Sequence, residues 1–113
     1  MHARLTYVIK FVAEMEAAVR FHRDTLGLKL KFQSPEWSEF ATGDVSLALH
    51  TASAKNPTGT VQLGFGVDDL KAVYAERQAR RITFTSEPRP LHGRLLATFL
   101  DSENAECSVS GPG

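Results

Sequence analysis

One cysteine, Cys107, one tryptophan, Trp37, and five prolines stand in a chain of 113 residues, and each scarcity excludes something. A lone cysteine rules out an intramolecular disulfide framework and fits a reducing compartment, with Cys107 read as a small buried strand residue. Sparse proline excludes collagen-like and Pro-rich disordered classes. Charge of one sign is missing as well: thirteen Lys and Arg balance thirteen Asp and Glu. Nothing therefore draws the chain non-specifically to nucleic acid or an anionic membrane. No apolar run is long enough for a membrane span or a signal peptide, since Met1-His2-Ala3-Arg4 leads straight into strand-like sequence. A cytoplasmic protein with neither a nucleic-acid nor a membrane partner is expected. Its length is that of one domain, so residues 1–113 are read as a single core.

What is there is a pattern that occurs twice. Leu5 to Val12 carries Thr6, Tyr7, Val8, Ile9, Phe11 and Val12, a composition that suits a pleated surface. Met15, Ala18, Val19, His22 and Leu26 then follow steps of three and four, with Gly27 as a C-terminal stop, which predicts one amphipathic helix. Strands are predicted at Lys29 to Gln33, Glu36 to Thr42 and Val45 to His50, punctuated by Pro35 and Gly43-Asp44. After a Ser-, Asn-, Pro- and Gly-containing stretch comes a second strand from Val61 to Val67 and a helix from Asp69 to about Arg80. Strands at Ile82 to Thr85, Arg94 to Leu100 and Ala105 to Ser110 complete the series.

Placing Tyr7 on Gln62 aligns Val12 with Val67, Glu14 with Asp69, Met15 with Leu70 and Ala18 with Val73. Coincident strand-to-helix junctions point to duplication. The expected architecture is α+β: a first β-α-β-β-β module over residues 1–52, a linker over 53–60 and a second module over 61–113. A helix covers one face of each sheet, and the other faces are expected to form a curved surface around a cleft.

The run Val12-Ala13-Glu14-Met15-Glu16-Ala17-Ala18-Val19-Arg20-Phe21-His22-Arg23-Asp24-Thr25-Leu26-Gly27-Leu28 resembles the opening signature of the vicinal-oxygen-chelate superfamily, which includes glyoxalases, dioxygenases and bleomycin-resistance proteins. Val67-Asp68-Asp69-Leu70-Lys71-Ala72-Val73-Tyr74 is similar to the start of that superfamily's second module, and Phe99-Leu100-Asp101-Ser102-Glu103-Asn104 to its closing turn. Ser102 replaces the usual proline and Asn104 the usual glycine, although asparagine can take the left-handed conformation such a turn needs.

The resemblance implies a divalent metal held by side chains of the first and last strands of the modules, which needs imidazole or carboxylate donors. The aligned positions here are Tyr7, Gln62, Ala48 and Ser108, and none supplies either. No metal and no other cofactor are therefore expected. The alternative is a displaced site built from His50 and Glu106, each two residues from an aligned position and so on the same face of its strand.

No other catalytic constellation is present: no G-x-S-x-G surrounds a serine, and Gly64-x-Gly66 lacks both a P-loop lysine and a third glycine. His22 lies on the helical stripe and is read as packed. His92, beside Gly93 before strand Arg94 to Leu100, is read either as a cavity-mouth contact or as a solvated loop residue.

The expected ligand-binding set is Tyr7, Ile9, Phe11, Trp37, Ala48, His50, Gln62, Gly64, His92, Glu106 and Ser108, an apolar and aromatic lining with a few hydrogen-bonding groups. Phe40 is read as core. What the resemblance implies is a metal-independent protein of the bleomycin-resistance type, a homodimer sequestering an apolar or aromatic compound in the cleft between modules. The alternative is a lyase, isomerase or dioxygenase of the superfamily, with His50, Glu106 or Tyr7 in acid-base roles.

Overall fold

A computed structural model describes residues 2–113. The chain divides into two compact units, Thr6–Gln62 and Leu63–Gly113, the second including the N-terminal residues up to Leu5. The described residues form nine strands: β1 (Arg4–Val12), β2 (Lys29–Phe32), β3 (Trp37–Ala41), β4 (Ser46–Thr51), β5 (Val61–Gly66), β6 (Thr83–Phe84), β7 (Arg89–Leu91), β8 (Arg94–Leu100) and β9 (Glu106–Pro112). Helix α1 spans Met15–Arg20, α2 Leu70–Ala75 and α3 Arg77–Arg80. None of the helices among the described residues is long and apolar enough to cross a membrane.

In the Thr6–Gln62 unit the strand order is β2-β3-β4-β1. β1 runs parallel to β4, with Tyr7 opposite Ser46, Ile9 opposite Ala48 and Phe11 opposite His50. The remaining pairs are antiparallel. Because side chains alternate along a strand, this register separates two faces. On one, Met15 and Val19 of α1 pack with Val12, Phe40 and Leu49. Phe40 and Leu49 are wholly buried there, which bears out the reading of Phe40 as core. The other face holds Ile9, Phe11 and Ala48, flanked by Tyr7 and Trp37.

The first helix departs from its expected form. After Arg20 it widens into a π-helical turn over Phe21–Thr25, in which Leu26 N–H bonds Phe21 O at 3.1 Å. Adding a residue per turn rotates the apolar stripe away from the sheet. Leu26, expected on that stripe, is instead 54% exposed. His22 stays on it, donating from Nδ1 to Ala18 O at 2.8 Å and tilting against the Phe40 ring. Gly27 ends the segment at φ 72°, as a C-terminal glycine does. Residues 53–60 fold back on β1: Gly59 N–H bonds Phe11 O and Phe11 N–H bonds Thr60 O.

In the Leu63–Gly113 unit the order is β5-β9-β8-β6, with β7 also on β8. β5 and β9 are parallel, Gly64 lying opposite Ser108 and Gly66 opposite Ser110. Ile9 with Ala48 and Gly64 with Ser108 are thus equivalent pairs, so the repeat seen in sequence extends to register. Leu70, Val73, Val67, Leu95, Ala97 and Val109 form this unit's core, and Cys107 is buried. Burial and the nearby Asp101 and Glu106 carboxylates push its thiol above the ordinary value.

Asp69 caps α2 by accepting from Ala72 N–H at 3.0 Å. The expected single helix breaks at Glu76 into α2 and α3. Pro88 and Pro90 concealed β7, an edge strand, where a missing N–H costs no ladder bond. Asn104 takes φ 60° in the closing turn, as anticipated, while Asp101 Oδ1 accepts from Glu103 and Ala105 N–H.

Truncating Phe40 to alanine should cost about 3–5 kcal/mol, because a phenyl ring is removed from a site with no solvent access. Urea denaturation of Phe40→Ala measures it. A loss below about 1 kcal/mol would contradict the packing described.

Candidate ligand-binding site

The sheet face of the Thr6–Gln62 unit that turns away from α1 gathers chemistry from three strands. Three rows cross it: Tyr7, Ser46 and Ala41; Ile9, Ala48 and Glu39; and Phe11, His50 and Trp37. Tyr7 and Trp37 meet edge to face with ring centroids 6.0 Å apart, Trp37 and His50 at 5.9 Å, and Phe11 and His50 at 5.6 Å. Such T-shaped contacts place a ring edge against a neighbour's π-face and contribute about 0.5–1.5 kcal/mol beyond burial. The methyl group of Ala48, fully buried, leaves the centre of the face low between these rings.

His50 has a defined tautomer. Its Nδ1 lies 2.8 Å from Thr51 O, and a carbonyl oxygen only accepts, so Nδ1 carries the proton and Nε2 of the neutral ring keeps its lone pair. Beside the aromatic residues stands a polar group that the sequence reading missed. Trp37 Nε1–H donates to Glu39 Oε1 at 2.8 Å, and Lys31 Nζ stands 3.6 Å from Glu39 Oε2 and donates to Ser46 Oγ at 3.3 Å. The signal was available: Glu39 follows Trp37 by two on one strand and must share its side. The Lys31 side chain is 45% exposed, so its pairing contributes about 0–1 kcal/mol. Its larger effect is to hold the carboxylate in place.

Tyr7, Ile9, Phe11, Trp37, Ala48 and His50 are therefore brought together by one unit. Gly64, Ser108 and Glu106 belong to the strand pair β5 and β9 of the other, with Gly64 opposite Ser108 and Glu106 two residues before it on the same side. Gly64 is buried. Glu106 Oε2 accepts from Thr85 Oγ1 at 2.8 Å, and Thr85 Oγ1 lies 2.6 Å from Thr98 Oγ1. Gln62 is half-buried on β5, two residues before Gly64. His92 sits exposed with Gly93 at the tip of the β7–β8 hairpin. Both have positive φ, 49° and 77°, as a two-residue type I′ turn requires.

The aligned metal positions do not fit a metal. Alanine at 48 offers no donor, and neutral tyrosine, glutamine and serine oxygens are weak ligands for transition metals. Of the alternative pair, His50 keeps its Nε2 lone pair while Glu106 has one oxygen accepting from Thr85, and the two belong to different units. Among the described residues no group of three or more His, Cys, Asp or Glu is placed to hold an ion.

The family model described as the Glyoxalase/Bleomycin resistance protein/Dioxygenase superfamily matches residues 4–105. Similar solved structures include methylmalonyl-CoA epimerase from Mycobacterium tuberculosis, at TM-score 0.79 and 17% identity, covering 96% of this chain and 87% of that one. A hypothetical protein from Bacillus halodurans C-125 matches at TM-score 0.79 and 13% identity, covering 100% and 96%. A glyoxalase/bleomycin resistance protein/dioxygenase superfamily member from Vibrio splendidus 12B01 matches at 0.67 and 16%, covering 99% and 100%. At these identities the likeness is one of fold. No curated protein matches the chain.

Proposed function

Because the chain belongs to the glyoxalase/bleomycin resistance protein/dioxygenase superfamily, we propose that it binds an apolar or aromatic small molecule, without a metal, on the sheet face built from Tyr7, Phe11, Trp37 and His50. The observation that carries this reading is the cluster of four rings in edge-to-face contact around the small side chain of Ala48. A planar ligand would find π-faces and apolar edges there, with His50 Nε2 and the Glu39–Lys31–Ser46 group to fix its orientation. Trp37 is the chain's one tryptophan, so its fluorescence reports occupancy directly. For a ligand found in this way, Tyr7→Ala should weaken binding by about 1–3 kcal/mol, the worth of a desolvated, stacked ring. Calorimetry showing unchanged affinity would put the ligand elsewhere.

One observation supports a second reading, as an enzyme. Glu39 is a carboxylate whose side chain is only 19% exposed, held by an indole N–H and an ammonium on the same face as the rings. A positioned carboxylate of this kind can remove a proton from a carbon acid. Epimerases of methylmalonyl-CoA are among the structures of similar fold, and that ester is the natural probe. Incubated with it in deuterium oxide, the protein should exchange the α-hydrogen if this reading holds, and Glu39→Gln should lose about 10²-fold or more of the rate. Absence of exchange in the wild type would leave binding alone.

We propose further that the protein is a cytoplasmic homodimer. Its free thiol fits a reducing compartment, and the outer strand β2 carries Phe32, 53% exposed, on an edge that monomers usually cover or blunt. Sedimentation equilibrium at micromolar concentration should give twice the chain mass of 12.4 kDa, and a single species of chain mass would refute it.

A further inference from the structure

The β7–β8 hairpin carries a pattern that the aromatic face does not use. Arg89 lies opposite Leu96, and Leu91 opposite Arg94, so the four side chains form a checkerboard on one side of the two strands. That side is also the side of Thr98 and Ser108, away from the core residues Leu95, Ala97 and Val109. Leu91 is 49% exposed, an apolar surface set between two cations. Between Arg89 and Arg94 there is no acidic residue in sequence. Among the described residues neither guanidinium has a side-chain hydrogen bond or an ion pair. Diagonal positions of an antiparallel pair stand about 7–8 Å apart, close enough for the two like charges to repel weakly and for one anion to relieve both.

Beside this pattern the surface sinks into a concavity of about 290 Å³, whose walls include Ser86, Arg89, Leu91, Leu96 and Thr98. That volume lies at the small end of ligand pockets, which run from about 300 to 1,000 Å³. No carboxylate lines it. Thr98 N–H is already satisfied by Ser86 Oγ at 3.0 Å, so the wall is preformed. Pro90, Leu91, Leu96 and Ala97 give it an apolar lining, and Arg89 is the one charged residue in that lining.

We propose that this concavity is a binding site for a small organic carboxylate, with Arg89 as the anchor for the carboxylate and Leu91 and Leu96 as the contact for the hydrocarbon body. A guanidinium fork matches a carboxylate in a two-bond geometry that lysine cannot reproduce. The two leucines select against a bare inorganic anion, which would lose hydration beside them and has no apolar surface to bury in return. This site stands in the Leu63–Gly113 unit and does not rest on the aromatic face of the other.

The test uses the full-length, ¹⁵N-labelled protein titrated with benzoate, benzamide and acetate at neutral pH, followed by amide chemical shifts. Benzoate should shift the amides of Ser86, Arg89, Leu96 and Thr98 saturably, and bind about tenfold or more tighter than benzamide, which has the ring without the charge. Acetate, which has the charge without the ring, should also bind more weakly. Arg89→Gln should lose the preference for benzoate over benzamide, Arg89→Lys should keep part of it, and the exposed helix variant Lys71→Gln should leave it intact. Arg89 is itself exposed, and a dispersed spectrum of each variant confirms its fold. Equal affinity for benzoate and benzamide, an unchanged preference in Arg89→Gln, or shifts confined to other residues would each overturn the proposal.

Discussion

Parallel pairing of the first and last strands of each unit decides which side chains meet. β1 lies against β4, and β5 against β9, with Ile9 and Ala48 in one unit holding the places of Gly64 and Ser108 in the other. A slip of one residue in the β1–β4 pair would send Phe11 and Ile9 to the helix side and Val12 and Val8 to the opposite one. Burial on the helix side resists that slip, because Val12, Met15, Val19, Phe40 and Leu49 interlock there. The ring cluster on the opposite face is thus held in register by a core that it does not belong to.

That division explains why a duplicated scaffold can change its chemistry without losing its fold. The helix-side positions, Met15 and Leu70, Val12 and Val67, stay apolar in both units because each must fill a packed core. The opposite-face positions are free of that demand. At the equivalent places one unit has Ile9 with Ala48 and the other Gly64 with Ser108, and none of these side chains is a good metal donor. The first unit uses the freedom for aromatic rings and a held carboxylate, and the second for hydroxyl groups around Thr85, Thr98 and Glu106.

Polar groups on these faces are secured by neighbours rather than left to water. Trp37 Nε1–H has Glu39, Lys31 has Glu39 and Ser46, and His50 Nδ1–H has the Thr51 carbonyl. For Trp37 and His50 the bond satisfies a group on a half-buried surface, where leaving it unpaired would cost about 1–3 kcal/mol. The result is a face whose side chains are oriented before any ligand arrives, which lowers the ordering cost of binding. Arg89 and Arg94, with no such partners, are the contrast.

By itself the sequence determined the order of eight of the nine strands among the described residues and of the two main helical segments, the repeat, and the membership of Tyr7, Ile9 and Phe11 in one face, since alternation and helical spacing are local properties of the chain. Gly27 and Asn104 were legible for the same reason: a positive φ is a demand that one residue meets. That Tyr7, Gln62, Ala48 and Ser108 carry neither imidazole nor carboxylate was legible too, because the family resemblance marks those positions. Tertiary structure alone decided the rest. The π-helical turn that exposes Leu26 reflects how α1 leaves the sheet, and strand β7 forms despite Pro90 because β8 offers it an edge. Lys31, Glu39 and Ser46 lie on three different strands. Their meeting depends on cross-strand register, a relation between distant parts of the chain that no local pattern records.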